Sequence, residues 1–230
     1  MKNILVACIV CFFFIPDLLA QTVDNNNSYT VNAYDINGKV LTNKTTDVLG
    51  TPLLNDEWGK GKVKFKTGQF ITNLELQYNL AENELYFKKD NITYAFVDPI
   101  EEFELSYQFE NEKRFSTFRC GYPLSGENTR TTFYEVIIDG KNLQLLRKTM
   151  KLIQTKANYG QSAQKEYKDM VQWYIYDAQQ SVVNKIKKDL RSIKEALPAY
   201  SDKIEKFRKD SNNKFHSDAE ISALIVFLNS

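Results

Sequence analysis

Histidine is almost missing from this chain: its 230 residues hold one, His216. That count excludes metal sites built on several histidines, because zinc draws three or four ligands from His and Cys. A catalytic triad would have to set His216 beside Ser125 or Cys120, and neither lies in a glycine-flanked nucleophile turn. Cysteine is also scarce, with three residues. Cys8 and Cys11 sit in an N-terminal apolar run expected to be removed, which leaves Cys120 with no partner for an internal disulfide or a cysteine zinc site. Its expected place is that of a small apolar residue at a strand end. An excess of either charge is lacking too, since 30 Lys and Arg meet 29 Asp and Glu for a net +1. No global field therefore draws the chain to nucleic acid or an acidic polymer. Beyond the first twenty residues no apolar run approaches the roughly 20 needed to span a bilayer as a helix, so no transmembrane span is expected.

What the N-terminus does hold is the layout of a secretory signal. Met1-Lys2-Asn3 is a short basic start, Ile4 to Ile15 is nearly unbroken apolar sequence, and Asp17-Leu18-Leu19-Ala20 ends on a small residue. The reading is a signal peptide over 1–20, cut after Ala20. Leu5-Val6-Ala7-Cys8 has the residue types of a lipid-attachment motif but precedes most of the apolar run, which argues against lipidation. The mature chain of roughly 210 residues allows one large domain or a domain with an appendage. Without disulfides it must rest on its hydrophobic core, for which 43% hydrophobic and 13% aromatic residues are adequate.

Polar residues 21–28 read as a flexible leader, and 29–186 as an antiparallel β domain. Its organising stretch runs from Lys62 to Lys89. Val63 and Phe65 alternate with lysines; Phe70, Thr72, Leu74, Leu76 and Tyr78 share a face opposite Glu75 and Gln77; Leu85 and Phe87 restart the pattern after a turn at Ala81–Glu84. Side chains on a strand point to opposite faces at every second residue, so this is a sheet with one apolar and one wet face. Asn37-Gly38 carries the signal of a tight hairpin. Phe103, Leu105, Tyr107 and Phe109 alternate with Glu102, Glu104, Ser106, Gln108 and Glu110, a polar face that either discourages edge aggregation or gathers a hard cation. Phe115 to Cys120 is another strand, and Gly121 to Arg130 is a polar loop. Thr132–Ile138 and Leu143–Ile153 form a hairpin about Asp139-Gly140. Glu166–Asp177 reads as extended with a helix as the alternative, and a short strand follows near Val182–Ile186.

From 187 to 230 the period becomes helical. Leu190, Ile193 and Leu197 precede Pro198; Ser201 is placed as the N-cap of a helix bearing Ile204 and Phe207; Ser217 and Glu220 form a capping box before Ile221, Leu224, Ile225 and Leu228. Such short amphipathic helices must dock on the sheet. Their basic excess reads as solvated helix faces, with a surface for anionic lipid headgroups or an acidic partner as the alternative. Attraction to the acidic strand at Glu101–Glu110 within the fold is a further reading.

Gly59 and Gly61 invite comparison with a phosphate-cradling loop, but Val63 stands where Ser or Thr is required and no helix follows. Trp58, with Asn55 and Asp56, is the candidate binding surface; the other reading is that Trp58 plugs the end of the sheet.

Four stretches, GTPLLNDEWGKGKV, LELQYNLAENELYF, TTFYEVIIDGKNLQLLRK and SDAEISALIVFLNS, are spread from Gly50 to the C-terminal residues. In them the chain resembles a family of exported, functionally unassigned β-rich proteins of Bacteroidetes-type bacteria. The resemblance implies the periplasm or cell envelope of a Gram-negative cell and brings no catalytic residue; the ending Phe227-Leu228-Asn229 departs from the tyrosine-rich one expected. The fold expectation is α+β, a mostly antiparallel sheet, as a sandwich or an open curled barrel, with short C-terminal helices. The functional expectation is a non-enzymatic envelope protein, without cofactor or metal, binding a protein or glycan. A carrier enclosing a lipid in a curved sheet is the alternative, and a carboxylate-based hydrolase is third, although no acid pair is selected by spacing.

Overall fold

The computed structural model describes residues 36–41, 47–109, 111–156 and 163–230. The expected signal peptide, the leader, the first residues of the expected β domain (29–35) and most of the loop after residue 156 lie outside the described residues. Twelve strands are described: β1 Gly38–Val40, β2 Val48–Leu49, β3 Gly59–Phe65, β4 Phe70–Asn79, β5 Glu84–Lys89, β6 Ile92–Phe96, β7 Ile100–Phe109, β8 Glu112–Arg119, β9 Tyr134–Asp139, β10 Leu143–Lys156, β11 Gln164–Asp177 and β12 Val182–Ile186. Three helices follow, α1 Leu190–Ala196, α2 Ser201–Ser211 and α3 Asp218–Asn229. The strands make one open path, β1-β6-β5-β4-β3-β7-β8-β9-β10-β11-β12, antiparallel throughout, and β2 adds a parallel pair to β11. The sheet is a single layer that does not close into a barrel, and 164–177 is strand, not helix.

The first half of the sheet curls around its own apolar face. Phe65 on β3 and Phe96 on β6 are separated by two strands, yet their ring centroids are 5.9 Å apart. Three strand spacings of flat sheet would hold them roughly 14 Å apart. Gly59 and Gly61 permit this curl. A Cβ on Gly61 would strike the Glu104 carbonyl and come within 2.6 Å of Leu76 Cδ1; on Gly59 it would strike the Ser106 carbonyl and Leu105. Bare backbone on the inner face of β3 lets its neighbours fold over it. Inside the curl Tyr78, Phe103, Phe118 and Phe133 pack ring against ring at 4.8–6.1 Å. Cys120, just past β8, is buried there and its thiol donates to the Ile100 carbonyl at 3.1 Å.

Two local expectations fail for identifiable reasons. Thr72 is exposed and Ile71 is buried, because Asn73 adopts a left-handed φ of 59° and adds one residue to β4 opposite Gly61–Val63. A bulge flips the face of every residue on one side of it. Asn37-Gly38 is no hairpin turn: Gly38 opens β1 opposite Phe96, and a Cβ there would lie 2.7 Å from the Phe87 ring. The tight turn of this region is Asp90-Asn91 between β5 and β6, with φ of 50° and 60°.

The second half of the sheet is covered on both faces. Leu145, Trp173 and Ile175 cluster with Ile193, Ile204, Leu224 and Leu228 of the helices and with Phe215 between α2 and α3. Leu146, Tyr174 and Val183 point the other way and meet Tyr122 and Tyr134. The Ser217–Glu220 capping box is formed, but Tyr200 and not Ser201 occupies the cap of α2, and Asp189 caps α1 by accepting from the Ser192 amide at 2.7 Å. Ser201 is already helical because the 3-10 turn at Pro198–Tyr200 winds directly into α2.

Candidate functional site

The curl leaves an outer, polar face, and the antiparallel register sets its side chains in rows. One row crosses five strands: Lys88, Glu75, Lys60, Ser106 and Phe115 are successive cross-strand partners. Four strand spacings make it about 19 Å long. Phe115 ends the row on β8 and is 67% exposed, whereas Phe118 on the same strand is buried.

At the other end stands Trp58. The segment before β3 is pinned to the sheet by the Leu53–Asn79 bridge and by the Leu54 amide donating to the Tyr78 carbonyl at 2.8 Å. Residues 54–58 therefore loop out over the outer face. Gln77, expected to be wet, is buried under this loop and donates to the Asp56 carbonyl at 2.9 Å. The Asn55 amide nitrogen holds the loop by donating to the Glu57 carbonyl at 2.5 Å, and its Oδ1 is buried without a hydrogen-bond partner. Asp56 is exposed. Trp58, half-buried, lies with its ring centroid 5.9 Å from Lys88 Nζ. Of the three candidates, Asn55 and Asp56 hold the loop through their hydrogen bonds, and Trp58 lies against Lys88.

Beside the row the outer face is concave. A cavity of about 510 Å³ is lined by Lys60, Lys62, Thr72, Asn73, Glu104, Ser106 and Phe115, and a neighbour of about 340 Å³ continues from Lys62 and Thr72 to Phe70. The bulge at Asn73 makes this relief, because it lifts Thr72 out of the inner phase. Charges alternate across the surface: Lys60–Glu75 at 3.6 Å, Lys62–Glu104 at 2.6 Å, Lys64–Glu101 at 2.9 Å, and Arg119 bridging Glu102 at 2.5 Å and Asp139 at 2.8 Å. Hydrogen bonds from the Arg119 guanidinium hold the Asp139 carboxyl below its ordinary pKa. The carboxylates at 101, 102 and 104 are thus neutralised by β3 and β8 and not by the helical tail. The tail's own cations pair locally, Arg191 with Glu195, Lys194 with Glu205 and Lys188 with Asp218. Among the described residues no group of three or more His, Cys, Asp or Glu is arranged to hold a metal ion. His216 is at the start of α3, with Nδ1 3.4 Å from the Lys188 carbonyl, whereas Ser125 belongs to a turn closed on Asn128. No helix among the described residues is long and apolar enough to cross a membrane.

Sequence reasoning reached Trp58 but missed Phe115. The signal was present: Phe115 shares its strand phase with Lys113 and Thr117, opposite Phe118. No protein-family model, curated protein or solved structure matches the chain.

Proposed function

We propose that this chain is an exported, non-enzymatic binding protein of the cell envelope that holds a glycan across the outer face of its sheet. The observation that carries the reading is the polar row capped by Trp58 and Phe115. A sugar ring offers an apolar C–H face, which packs on an aromatic side chain, and a rim of hydroxyls, which bond to charged and hydroxyl side chains. Lys88, Glu75, Lys60 and Ser106 supply that second kind of group between the two rings. A row about 19 Å long suits an oligosaccharide of a few units. Export rests on the pattern of residues 1–20.

The lipid-carrier alternative draws on a cavity of about 340 Å³ at the mouth of the curl, lined by Leu85, Phe96, Cys120 and Phe133. It has less support, because Tyr78, Phe103, Phe118 and Phe133 occupy the interior a lipid tail would need. The carboxylate-hydrolase reading draws none from the outer face, where Glu75, Glu102 and Glu104 are each held by a cation.

The test is retardation of the mature protein in native gels containing single polysaccharides, among them a neutral β-glucan, a xylan and solubilised peptidoglycan. Binding to at least one is expected, weakened about tenfold in W58A and in F115A, the loss of about 1.4 kcal/mol per ring contact. Retardation by none of them, or retardation indifferent to both substitutions, would overturn the reading.

A further inference from the structure

A second pocket, of about 340 Å³, lies on the other half of the sheet, on the face opposite the helices. The loop between β8 and β9 makes one wall through the Ser125–Asn128 turn, whose ends exchange backbone hydrogen bonds at 3.1 and 3.3 Å. The floor comes from β10, β11 and β12, where register places Lys148 opposite Gln172 and Lys185 opposite Tyr174. Asn128 is 5% exposed and organises the polar groups. Its Oδ1 accepts from Lys148 Nζ, its Nδ2 donates to Tyr174 Oη at 2.9 Å, and Tyr174 Oη donates to Gln172 Oε1 at 2.6 Å. The Lys148 ammonium carries three hydrogens, of which Asn128 Oδ1 takes one.

The pocket gathers two ammonium groups against one carboxylate. Lys148 is half-buried, Lys185 is on the open side, and Glu127 stands exposed at the rim. Burial lowers the Lys148 pKa; Glu127 partly restores it, and the Lys185 charge lowers it again. A pair of like charges sharing a cavity is an arrangement that an anion relieves. We propose that this pocket binds the oxyanion group of a small molecule between Lys148 and Lys185, with Met150 and the Tyr174 ring against the rest of the ligand. The bound oxygens take the free donors of the two ammoniums, and charge-assisted bonds of this kind are the strong ones. Glu127 competes for the same lysines and sets the pocket's affinity. This site is independent of the glycan row.

The experiment is calorimetric titration of the mature protein with inorganic phosphate and, separately, with succinate, alongside ¹⁵N spectra of the lysine ammoniums. Saturable binding of one probe is expected, weakened about tenfold or more in K148M and in K185M, unchanged in the distant control K203M, and restored in K148R. The probe that binds distinguishes phosphate from carboxylate. E127Q is expected to bind more tightly, since it removes the competing charge. Lys185 and Glu127 are both exposed, so K185M and E127Q test the site even where K148M disturbs folding. No saturable binding of either probe up to on the order of 10 mM overturns the proposal. So does binding that survives K185M, or binding that weakens in E127Q.

Discussion

One carboxamide joins the last helix to the sheet. Asn229 Oδ1 accepts from the Asn142 and Leu143 amides, both at 3.0 Å, while its Nδ2 donates to the Leu143 carbonyl at 2.9 Å and the Ile225 carbonyl at 2.8 Å. Gly140, in the same turn, has no room for a Cβ because Asn229 lies against it. Replacing Asn229 with Ala strands two amides of a tight turn, and at about 1 kcal/mol per net bond the expected loss is about 2–3 kcal/mol in urea unfolding. Glu220 governs the other end of α3. Its carboxylate accepts from the amides of Lys214, His216 and Ser217 at 2.8–3.1 Å, and those bonds pull its pKa down to about 2. A carboxyl with a depressed folded pKa contributes fully above its unfolded value, near 4.3, and loses that contribution as pH falls toward 2. Urea midpoints of the parent chain should therefore fall between pH 4.3 and 2 by more than those of E220Q, and equal falls would refute the assignment.

At the scale of the element, the curl of the first half depends on β3 having no side chain at Gly59 and Gly61. Overpacking of this kind costs about 1–3 kcal/mol, and Gly61→Ala should lie at the upper end, since the obstructing group is the Glu104 carbonyl, which cannot rotate away. Chemical denaturation of G61A beside G68A gives the comparison: nothing lies within 4 Å of a Cβ at Gly68, but its φ of 85° means that only backbone strain is added there. The β10–β11 ribbon behaves differently along its length. Its base, with Leu145 and Ile175, is fully buried, whereas Leu152 to Lys156 and Lys168 to Val171 are exposed. Amides of the outer ribbon should exchange about a hundredfold faster than those at the base, by hydrogen–deuterium exchange. Within this ribbon β10 was legible as a strand, whereas the sequence of β11 left strand and helix both open. The bulge in β4 was not legible, because Asn73 changes phase without changing composition, and neither was the direct winding of the Pro198–Tyr200 turn into α2. Ser201 has the chemistry of a cap, but the cap position belongs to whichever residue precedes helical φ and ψ, and that is Tyr200.

At the scale of the whole molecule, three separate clusters share one sheet: the ring-packed interior of the curl, the layer between β10–β12 and the helices, and the tyrosine cluster on the opposite face of β10–β12. Alternation along the chain determined that there would be strands, which residues would face inward on most of them, and that the tail would be helical, because each of these depends on neighbours a few positions away. Helical spacing and the Ser217–Glu220 pair likewise announced α3 before any contact was known. Tertiary structure alone decided that the sheet stays open, that Asn229 closes a hairpin more than eighty residues earlier, and that Glu101, Glu102 and Glu104 find their cations on β3 and β8. It also decided both sites. Trp58 and Phe115 come to the ends of one row, and Lys148 and Lys185 into one pocket, only through strand register, which is set by pairing between distant segments and has no local signature in the sequence.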